Sequence, residues 1–281
     1  MSQDFTYQEV TDMTQNESYF QAKKKIEQAQ YTGATTLDLE GLELTELPPE
    51  VWDLTELKVL NLGYFFVGPR NRLTKLPDEI GRLTQLQSLN LCGNRLTELP
   101  ETLGKLTRLN KLNISENKFA ALPICLMHLP QLQDFYIGKN EFAEPPEWIA
   151  NFTQLKSLSL SHKELTSIPD SISKLTELSS LAIHSSGLTD IPYWIGSFAQ
   201  LKELWFAGNC LPSVPESLGD LSNLIRLSLH SNYLTDIPSS LARLEHLKEL
   251  NLDHNPLNPE LASAYKQGLD AVKIYLRTIN H

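Results

Sequence analysis

LQSLNLCGNRLTELPETLGKLTR, residues 86–108, is the stretch that decides the fold of this chain. Its pattern, LxxLxLxxNxLxxLPxxLxxLxx, returns with a period of 23 residues and no insertion between copies. Further copies begin at Leu109, Leu132, Leu155, Leu178, Leu201 and Leu224, and a partial copy begins at Leu247. Self-similarity at such a period is the mark of a repeat architecture.

Two variant copies precede Leu86. Residues 57–85 are the same unit with six extra residues, and residues 34–56 are a degenerate first unit. This makes about ten repeats, numbered here from repeat 1 at 34–56 to repeat 10 at Leu247. Positions within a repeat are counted from its first residue, so that Ala34 holds position 1 of repeat 1 and Leu86 holds position 1 of repeat 3.

Each part of the repeat has a mechanical meaning. LxL predicts a short strand with alternate side chains pointing inward, and the following asparagine can bond to buried main-chain groups. LPxxL turns the chain back, because proline cannot extend a strand. A single repeat has too little core to fold alone, so the repeats stack. We predict an α/β solenoid, a horseshoe with a concave parallel sheet.

The ends of the chain are predicted to be helical caps. The residue Asn258 can cap the last helix, and Pro259 suits its first turn. We expect one domain with no linker. The predicted divisions are 1–15, disordered; 16–33, N-terminal helical cap; 34–257, repeats; and 258–281, C-terminal helical cap.

Charge and cysteine content exclude several classes of function. The net charge is −10 with a pI near 5.2, which argues against a nucleic-acid surface, because such a surface must be basic. Cys92, Cys125 and Cys210 are too sparse for a disulfide framework. The N-terminus is polar, and no apolar run is long enough to span a membrane. We therefore expect a cytoplasmic protein.

The repeat resembles the leucine-rich-repeat superfamily, in the LTxLPxxL form typical of bacterial and Ras-group proteins. The flanking segments QYTGATTLDLEGLELTELPPEV and NPLNPELASAYKQGLDAVKIYL resemble the ends of the repeat domain of bacterial Roco proteins. There a GTPase follows the repeats, but this sequence has no GxxxxGK[ST] motif, so no GTPase residue carries over. The resemblance implies partner recognition, and one alternative is a regulatory arm of a Roco-like GTPase.

The variable residues of the strands predict where a partner binds. The N-terminal half of the concave face is polar and mixed, whereas the C-terminal half carries aromatic residues, histidines and an arginine. Trp205 is the strongest candidate anchor, because tryptophan and arginine are enriched at interface hot spots; the alternative is that it lies flat on its neighbours. The predicted contacts here are Tyr136, His162, His184, Trp205, Arg226, His230, Tyr233 and His254.

Four of the seven histidines fall at positions 7 or 8 of their repeats. Three interpretations stay open: ordinary exposed polar residues, a pH-responsive surface, or a metal site. Neighbouring strands would bring His162 near His184, and His230 near His254. The asparagine column also fails beside the first pair, at Lys163 and Ser186.

The insertion in repeat 2, GYFFVGPRNR at 63–72, is a third candidate. Apolar residues in a surface loop often mark a contact site, so Tyr64, Phe65 and Phe66 are predicted to touch a partner. The alternative is that the loop folds back onto the first repeats. Trp148 and Trp194 are predicted to pack on the outer side rather than to form a site.

Catalysis is not expected, because a strand face with its amides committed to a ladder offers no oxyanion hole or water-excluding pocket. No cofactor is predicted. We predict a non-catalytic module that binds a protein partner, in intracellular signalling. The alternatives are a metal-binding or pH-sensing protein that uses the histidines, and the regulatory arm described above.

Overall fold

A computed structural model describes residues 7–64, 68–142 and 144–279 of the chain, with residues 7–16 described by their backbone alone. Two compact units make up the chain. The N-terminal unit comprises Met1–Asp134 with Asn140–Phe142, and the C-terminal unit comprises Phe135–Lys139 with Ala143–His281.

The N-terminal unit opens on a helix, α1, at Tyr7–Thr32. The helix thus begins before the predicted cap at 16–33, and it covers part of the segment that was expected to be disordered. Parallel strands follow in chain order: β1 Thr36–Asp38, β2 Val59–Asn61, β3 Ser88–Asn90 and β4 Lys111–Asn113. The 3-10 helices between them are Pro49–Asp53, Asp78–Arg82, Glu101–Lys105 and Ile124–His128.

The C-terminal unit repeats the same alternation. Its strands are β5 Asp134–Tyr136, β6 Ser157–Ser159, β7 Ser180–Ala182, β8 Glu203–Trp205, β9 Arg226–Ser228 and β10 Glu249–Asn251. The first residue of β5, Asp134, belongs to the N-terminal unit, and the rest of β5 belongs to the C-terminal unit. Strands β6 to β10 pair in parallel and in chain order. Its 3-10 helices are Glu147–Asn151, Asp170–Lys174, Tyr193–Ser197, Glu216–Asp220 and Ser239–Arg243. The predicted α/β solenoid of parallel strands is confirmed.

Burial of the repeated leucines holds each unit together. The middle residue of nearly every strand is almost fully buried, as Leu89 and Leu204 are at 0% exposure. Burying one such side chain contributes about 2 kcal/mol. Each 3-10 helix follows a proline, as Pro100 and Pro215 show, because proline favours the extended backbone at which the chain turns.

The C-terminal end is capped as predicted. The Asn258 side chain accepts a hydrogen bond from the amide of Leu261 at 2.9 Å, and Pro259 opens α2, Pro259–Gln267. Gly268 has a φ of 104° and separates α2 from α3, Leu269–Thr278. At the other end, Ala22, Ile26 and Ala29 are buried against the first repeat, while Phe20 is 53% exposed.

Candidate functional site

The strand face of the N-terminal unit satisfies its own polar groups. Position 5 carries Asp38, Asn61, Asn90 and Asn113. Each of these side-chain oxygens accepts a hydrogen bond from the amide two residues later, at 3.0–3.3 Å. Asn61 Nδ2 also donates to Asp38 Oδ1 at 3.1 Å, and Asn90 Nδ2 donates to Asn61 Oδ1 at 2.8 Å. These side chains therefore hold one another and the main chain.

The inserted segment 63–72 returns to the repeat pattern at Asn71, which is 2% exposed. Its Oδ1 accepts from the amide of Leu44 at 2.9 Å, and its Nδ2 donates to the carbonyls of Leu39 and Leu62 at 2.8 and 2.9 Å. Asn71 is thus the ladder asparagine of repeat 2. The six extra residues are accommodated without breaking the ladder.

Two ion pairs fasten the same segment to the N-terminal unit. Arg70 pairs with Glu116, and Arg72 pairs with Glu43. The amide of Tyr64 donates to the carbonyl of Cys92 at 3.2 Å. The described parts of the segment thus lie on the repeats, which agrees with the alternative that it folds back. Phe65 and Phe66 lie outside the described residues, so their predicted role as contacts stays a prediction.

In the C-terminal unit Trp205 replaces the position 5 asparagine. It is partly exposed and stands in register between Ala182 on β7 and Ser228 on β9, both small residues. Its ring lies beside that of His184, with centroids 6.5 Å apart and planes tilted by 52°. The structure therefore brings two of the predicted contacts together. We name the cluster of Trp205, His184 and His230 the aromatic cluster.

The environment of His184 favours its neutral form. Burial lowers the pKa of His184 below the ordinary histidine value, and the positive charge of the neighbouring His230 lowers it further. The amide of His184 donates to Ser161 Oγ at 2.8 Å. At neutral pH this imidazole therefore offers one donor and one acceptor rather than a positive charge.

Two main-chain donors lie within this cluster. No hydrogen bond among the described residues uses the amide of Ala207 or that of His230. Both hold position 7, whose amide in repeat 3 is bonded by the Asn90 side chain. A side chain on the strand face can therefore reach such an amide. At Ala207 and His230 no asparagine is available, because position 5 holds Trp205 and Ser228.

Arg226 is part of an ion network, its side chain remains 41% exposed, and its role as a contact stays a prediction. Its Nε lies 3.0 Å from Glu249 Oε1, and its Nη1 lies 2.6 Å from Glu203 Oε1. The Glu249 carboxylate, and then that of Glu203, raises the pKa of Arg226 above its usual value. All three residues hold position 3 of neighbouring strands. The network leaves a net negative charge beside the aromatic cluster.

The expectation that His162 forms part of an exposed recognition surface is wrong. The residue is only 7% exposed, and its Nδ1 accepts a hydrogen bond from the amide of Glu164 at 3.2 Å. Its own amide donates to Ser186 Oγ at 2.9 Å. The side chain is buried because repeat 6 has lost its ladder asparagine to Lys163, which is exposed, and His162 closes the turn instead.

Ser186 takes over part of the missing ladder. Its Oγ accepts from His162 and donates to the carbonyl of His184 at 3.1 Å. By contrast, Asn209 in repeat 8 accepts from Leu188 and donates to the carbonyls of Ile183 and Phe206 at 2.8 and 3.0 Å. The asparagine ladder is therefore weaker in repeats 6 and 7, as the sequence pattern indicated.

The remaining predicted contacts are spread over the C-terminal unit. Tyr136 on β5 accepts a hydrogen bond from Ser157 Oγ at 3.5 Å. His230 Nδ1 lies 2.9 Å from Ser231 Oγ. Tyr233 is 63% exposed, and His254 is exposed with a left-handed φ of 58°. Among these residues, His230 lies close enough to His184 to lower its pKa.

Sequence reasoning missed the two amides and the carboxylates around Arg226. The signal for the amides was present, because Trp205 and Ser228 replace asparagine at a position whose side chain normally bonds them. The ion network needed only the observation that Glu203, Arg226 and Glu249 share position 3. No group of three potential metal ligands occurs within 7–64, 68–142 and 144–279. In the same ranges no helix is long and apolar enough to cross a membrane.

Comparison with known protein families identifies the repeat. A model described as "Leucine-rich repeat region" matches residues 146–270, and one described as "Leucine rich repeat" matches residues 69–119 and 84–142. None of the curated proteins matches the chain. These matches support the leucine-rich repeat, and the finer resemblance to Roco proteins stays a prediction.

Solved structures show the same fold. A leucine-rich-repeat protein of Leptospira interrogans is 32% identical with a TM-score of 0.74, over 84% of this chain and 58% of that protein. The plant peptide hormone receptor RGFR1 in complex with RGF2 is 29% identical with a TM-score of 0.57, over 79% and 40%. An internalin of Listeria monocytogenes is 23% identical with a TM-score of 0.58, over 80% and 75%. The chain thus spans little more than half of the Leptospira protein.

Proposed function

We propose that this leucine-rich-repeat solenoid is a non-catalytic module that binds a protein partner through the strand face of repeats 7 to 9, in cytoplasmic signalling. The segment 63–72 is a second, separate contact. The aromatic cluster is the centre of the first surface, and the exposed Tyr233 and His254 lie in the repeats at its C-terminal edge.

The observation that carries this proposal is the pair of unused amides beside Trp205. A main-chain donor without a partner costs free energy unless water or a ligand bonds to it. The amides of Ala207 and His230 therefore favour a partner that presents hydrogen-bond acceptors. Trp205 supplies apolar area next to them, as hot-spot residues do.

The charge of the surface narrows the kind of acceptor. Glu203 and Glu249 outnumber the single guanidinium of Arg226, so a partner carboxylate would be repelled here. Neutral acceptors such as main-chain carbonyls suit the surface better. The plant receptor of similar fold, which is a peptide hormone receptor, supports a peptide segment as the bound form.

The test is capture of partners from an extract of the source organism on immobilised protein, quantified by mass spectrometry. Proteins retained by the wild type should be lost with Trp205→Ala, by about 30-fold in affinity if the tryptophan is worth about 2 kcal/mol. Equal recovery on both proteins would show that the strand face of repeats 7 to 9 is not the binding surface.

Tyr193→Ala is the matched control, because Tyr193 is 76% exposed and lies on a 3-10 helix away from the strands. It removes an exposed aromatic side chain without touching the aromatic cluster. It should retain the same partners as the wild type. Thermal unfolding of both variants checks that each remains folded.

A pH-responsive interaction is the second candidate, and the coupling of His184 to His230 favours it. Protonating His184 would place a positive charge beside Trp205, while Glu203 and Glu249 are already paired to Arg226. A partner that accepts a hydrogen bond from neutral His184 would then bind less well. Affinity for a captured partner, measured between pH 7 and pH 5, should fall with pH in the wild type but not in His184→Gln.

A further inference from the structure

Glycines control how closely neighbouring 3-10 helices pack. Gly196 and Gly219 occupy the same place in repeats 7 and 8, and a Cβ on them would lie 2.3 Å from the Ser217 carbonyl oxygen and 2.4 Å from Ser240 Cβ. In the N-terminal unit a Cβ on Gly81 would lie 2.8 Å from Thr102 Cβ. These distances are too short for any side chain, so the close approach of these helices requires glycine.

Repeat 5 lacks this glycine and carries Ala150 in its place. Between the helices Glu147–Asn151 and Asp170–Lys174 the structure has a cavity of about 960 Å³. The methyl group of Ala150 lines it. We name this cavity the outer groove. It belongs wholly to the C-terminal unit, on helices that the proposed strand face does not use.

The outer groove combines an indole and prolines with carboxylates. Trp148 and Pro169 are among its apolar lining residues, and Trp148 is held edge-on against Phe152 with ring centroids 5.9 Å apart. Glu144 and Glu147 line it as well. Neither glutamate forms an ion pair with another residue of 7–64, 68–142 or 144–279.

In a comparable cavity of the N-terminal unit, acidic side chains form ion pairs with basic residues of the same chain. This cavity measures about 770 Å³, lies beside the helices Pro49–Asp53 and Asp78–Arg82, and includes Trp52. There the chain supplies its own cations: Lys23 Nζ lies 2.9 Å from Glu50 Oε1, and Arg82 Nη2 lies 2.9 Å from Asp53 Oδ1. In the outer groove Glu144 and Glu147 have no such ion pair among the described residues, although Lys174 also lines it.

We propose that the outer groove binds an arginine side chain of a basic partner segment. The guanidinium stacks on the indole of Trp148 and pairs with Glu144 and Glu147, and its aliphatic stem lies against Pro169. Arginine fits better than lysine, because its planar guanidinium both stacks on aromatic rings and bonds two oxygens of a carboxylate. The net charge of −10 attracts such a segment from a distance.

The probe is a fluorescently labelled peptide of six arginines, with a six-lysine peptide beside it, measured by anisotropy at low and physiological salt. Wild-type protein should prefer the arginine peptide. Trp148→Leu, which keeps an apolar contact with Phe152 but removes the indole, should weaken binding about tenfold, the loss expected for one desolvated cation–π contact. An unchanged affinity for Trp148→Leu would overturn the proposal.

Two double variants distinguish binding in the outer groove from a general attraction of the peptide to the negative charge of the protein. Glu144→Gln with Glu147→Gln should weaken binding about tenfold as well, whereas Glu98→Gln with Glu177→Gln, the same charge change at exposed sites elsewhere, should change it less than about twofold. Equal losses for the two double variants would mean that the peptide responds only to net charge. Thermal unfolding confirms that all four sites tolerate the change.

Ala150→Gly tests the origin of the groove. Restoring glycine should let the two helices approach as they do at Gly219, so that the groove narrows and binding falls without any change of charge. Tighter or unchanged binding by Ala150→Gly would contradict the proposal. Trp205→Ala should bind the arginine peptide as the wild type does, so that failure here and failure of the strand-face proposal remain distinguishable.

Discussion

The two units of this chain share one repeat but use position 5 of their strands in opposite ways. In the N-terminal unit, asparagines at this position bond to the amides two residues later and to each other. In the C-terminal unit the same position holds Trp205 and Ser228, and the amides of Ala207 and His230 are not used by the described residues. In the N-terminal unit the position 5 side chains bond to these main-chain amides, whereas in the C-terminal unit the amides of Ala207 and His230 remain available to a partner.

This difference shows where a repeat protein can place a binding surface. The inward leucines and the ladder asparagines are shared by neighbouring repeats, so changing them affects the fold. Position 5 faces outward and bonds only within the strand face, so it can exchange stability for recognition. The following predictions test that division, in order of decreasing expected effect.

The ladder asparagines should be the most costly residues to replace. Asn117 accepts from the amide of Leu96 and donates to three carbonyls, including those of Leu91 and Ile114. Asn117→Ala should lower the free energy of unfolding by about 3 kcal/mol, because it leaves buried main-chain groups without partners. Urea denaturation measures this loss.

Ser186→Ala is the comparison in the C-terminal unit, where the ladder is already reduced to two hydrogen bonds. It should cost about 1 kcal/mol. If both variants lose the same stability, the ladder is not weaker in repeats 6 and 7 as we conclude.

Replacing the tryptophan at position 5 by the asparagine of the N-terminal unit should lower affinity for the partner without changing stability. Trp205→Asn gives the amide of Ala207 the acceptor that Asn90 gives to Cys92. Stability should change by less than about 1 kcal/mol, whereas affinity for a captured partner should fall by about 30-fold. Calorimetry and surface plasmon resonance measure the two quantities. A loss of stability with affinity retained would reverse our assignment of this residue.

The lowered pKa of His184 predicts a pH-dependent stability with a defined sign. The unfolded chain, where histidine has its ordinary pKa near 6.5, binds a proton more readily than the folded protein does. The contribution of neutral His184 is therefore complete above that pKa and is lost as the pH falls below it. Melting temperatures of the wild type should decline from pH 7 to pH 5.

His184→Gln should reduce that decline, because glutamine has no proton to take up. His246→Gln is the control, since His246 is exposed, and it should leave the decline as it is in the wild type. A decline of the same size in His184→Gln would show that other groups cause it.

The ion network around Arg226 should matter least for stability. Exposed pairs contribute little, because water screens them and long side chains lose freedom when they are held. Arg226→Met should leave the melting temperature within experimental error of the wild type. A clear fall, reversed by adding Glu203→Gln and Glu249→Gln, would show instead that unpaired carboxylates destabilise this face.

Much of the fold could be predicted from the repeat alone. The 23-residue period, the LxL strands and the Asn258 cap all appear in the structure, because each depends on local pattern or on contacts with the next repeat. The start of the first helix was less predictable. Residues 1–15 were predicted to be disordered, yet the helix begins at Tyr7.

The candidate site was predictable only in part. Trp205 and His184 were each predicted as contacts from their positions in the repeat, and the register of adjacent strands places their rings side by side. His162 was wrong, because whether its imidazole faces solvent depends on the missing asparagine at Lys163 and on the Ser186 hydroxyl one repeat further on. One of these neighbours, Ser186, lies 24 residues away in the sequence, and the register of the repeats places its hydroxyl beside the His162 amide.

By itself, the sequence determined the repeat, its parallel strands and the column in which each variable residue stands, because a solenoid converts spacing along the chain directly into position. Only the tertiary structure decided which of those residues bond to one another or are buried, and which remain available to a partner. It paired Arg226 with two glutamates, buried His162, left two amides near Trp205 without a hydrogen bond from the described residues, and formed the outer groove beside Ala150. These outcomes depend on packing and hydrogen bonds between adjacent repeats, where a single methyl group or side-chain oxygen changes the result.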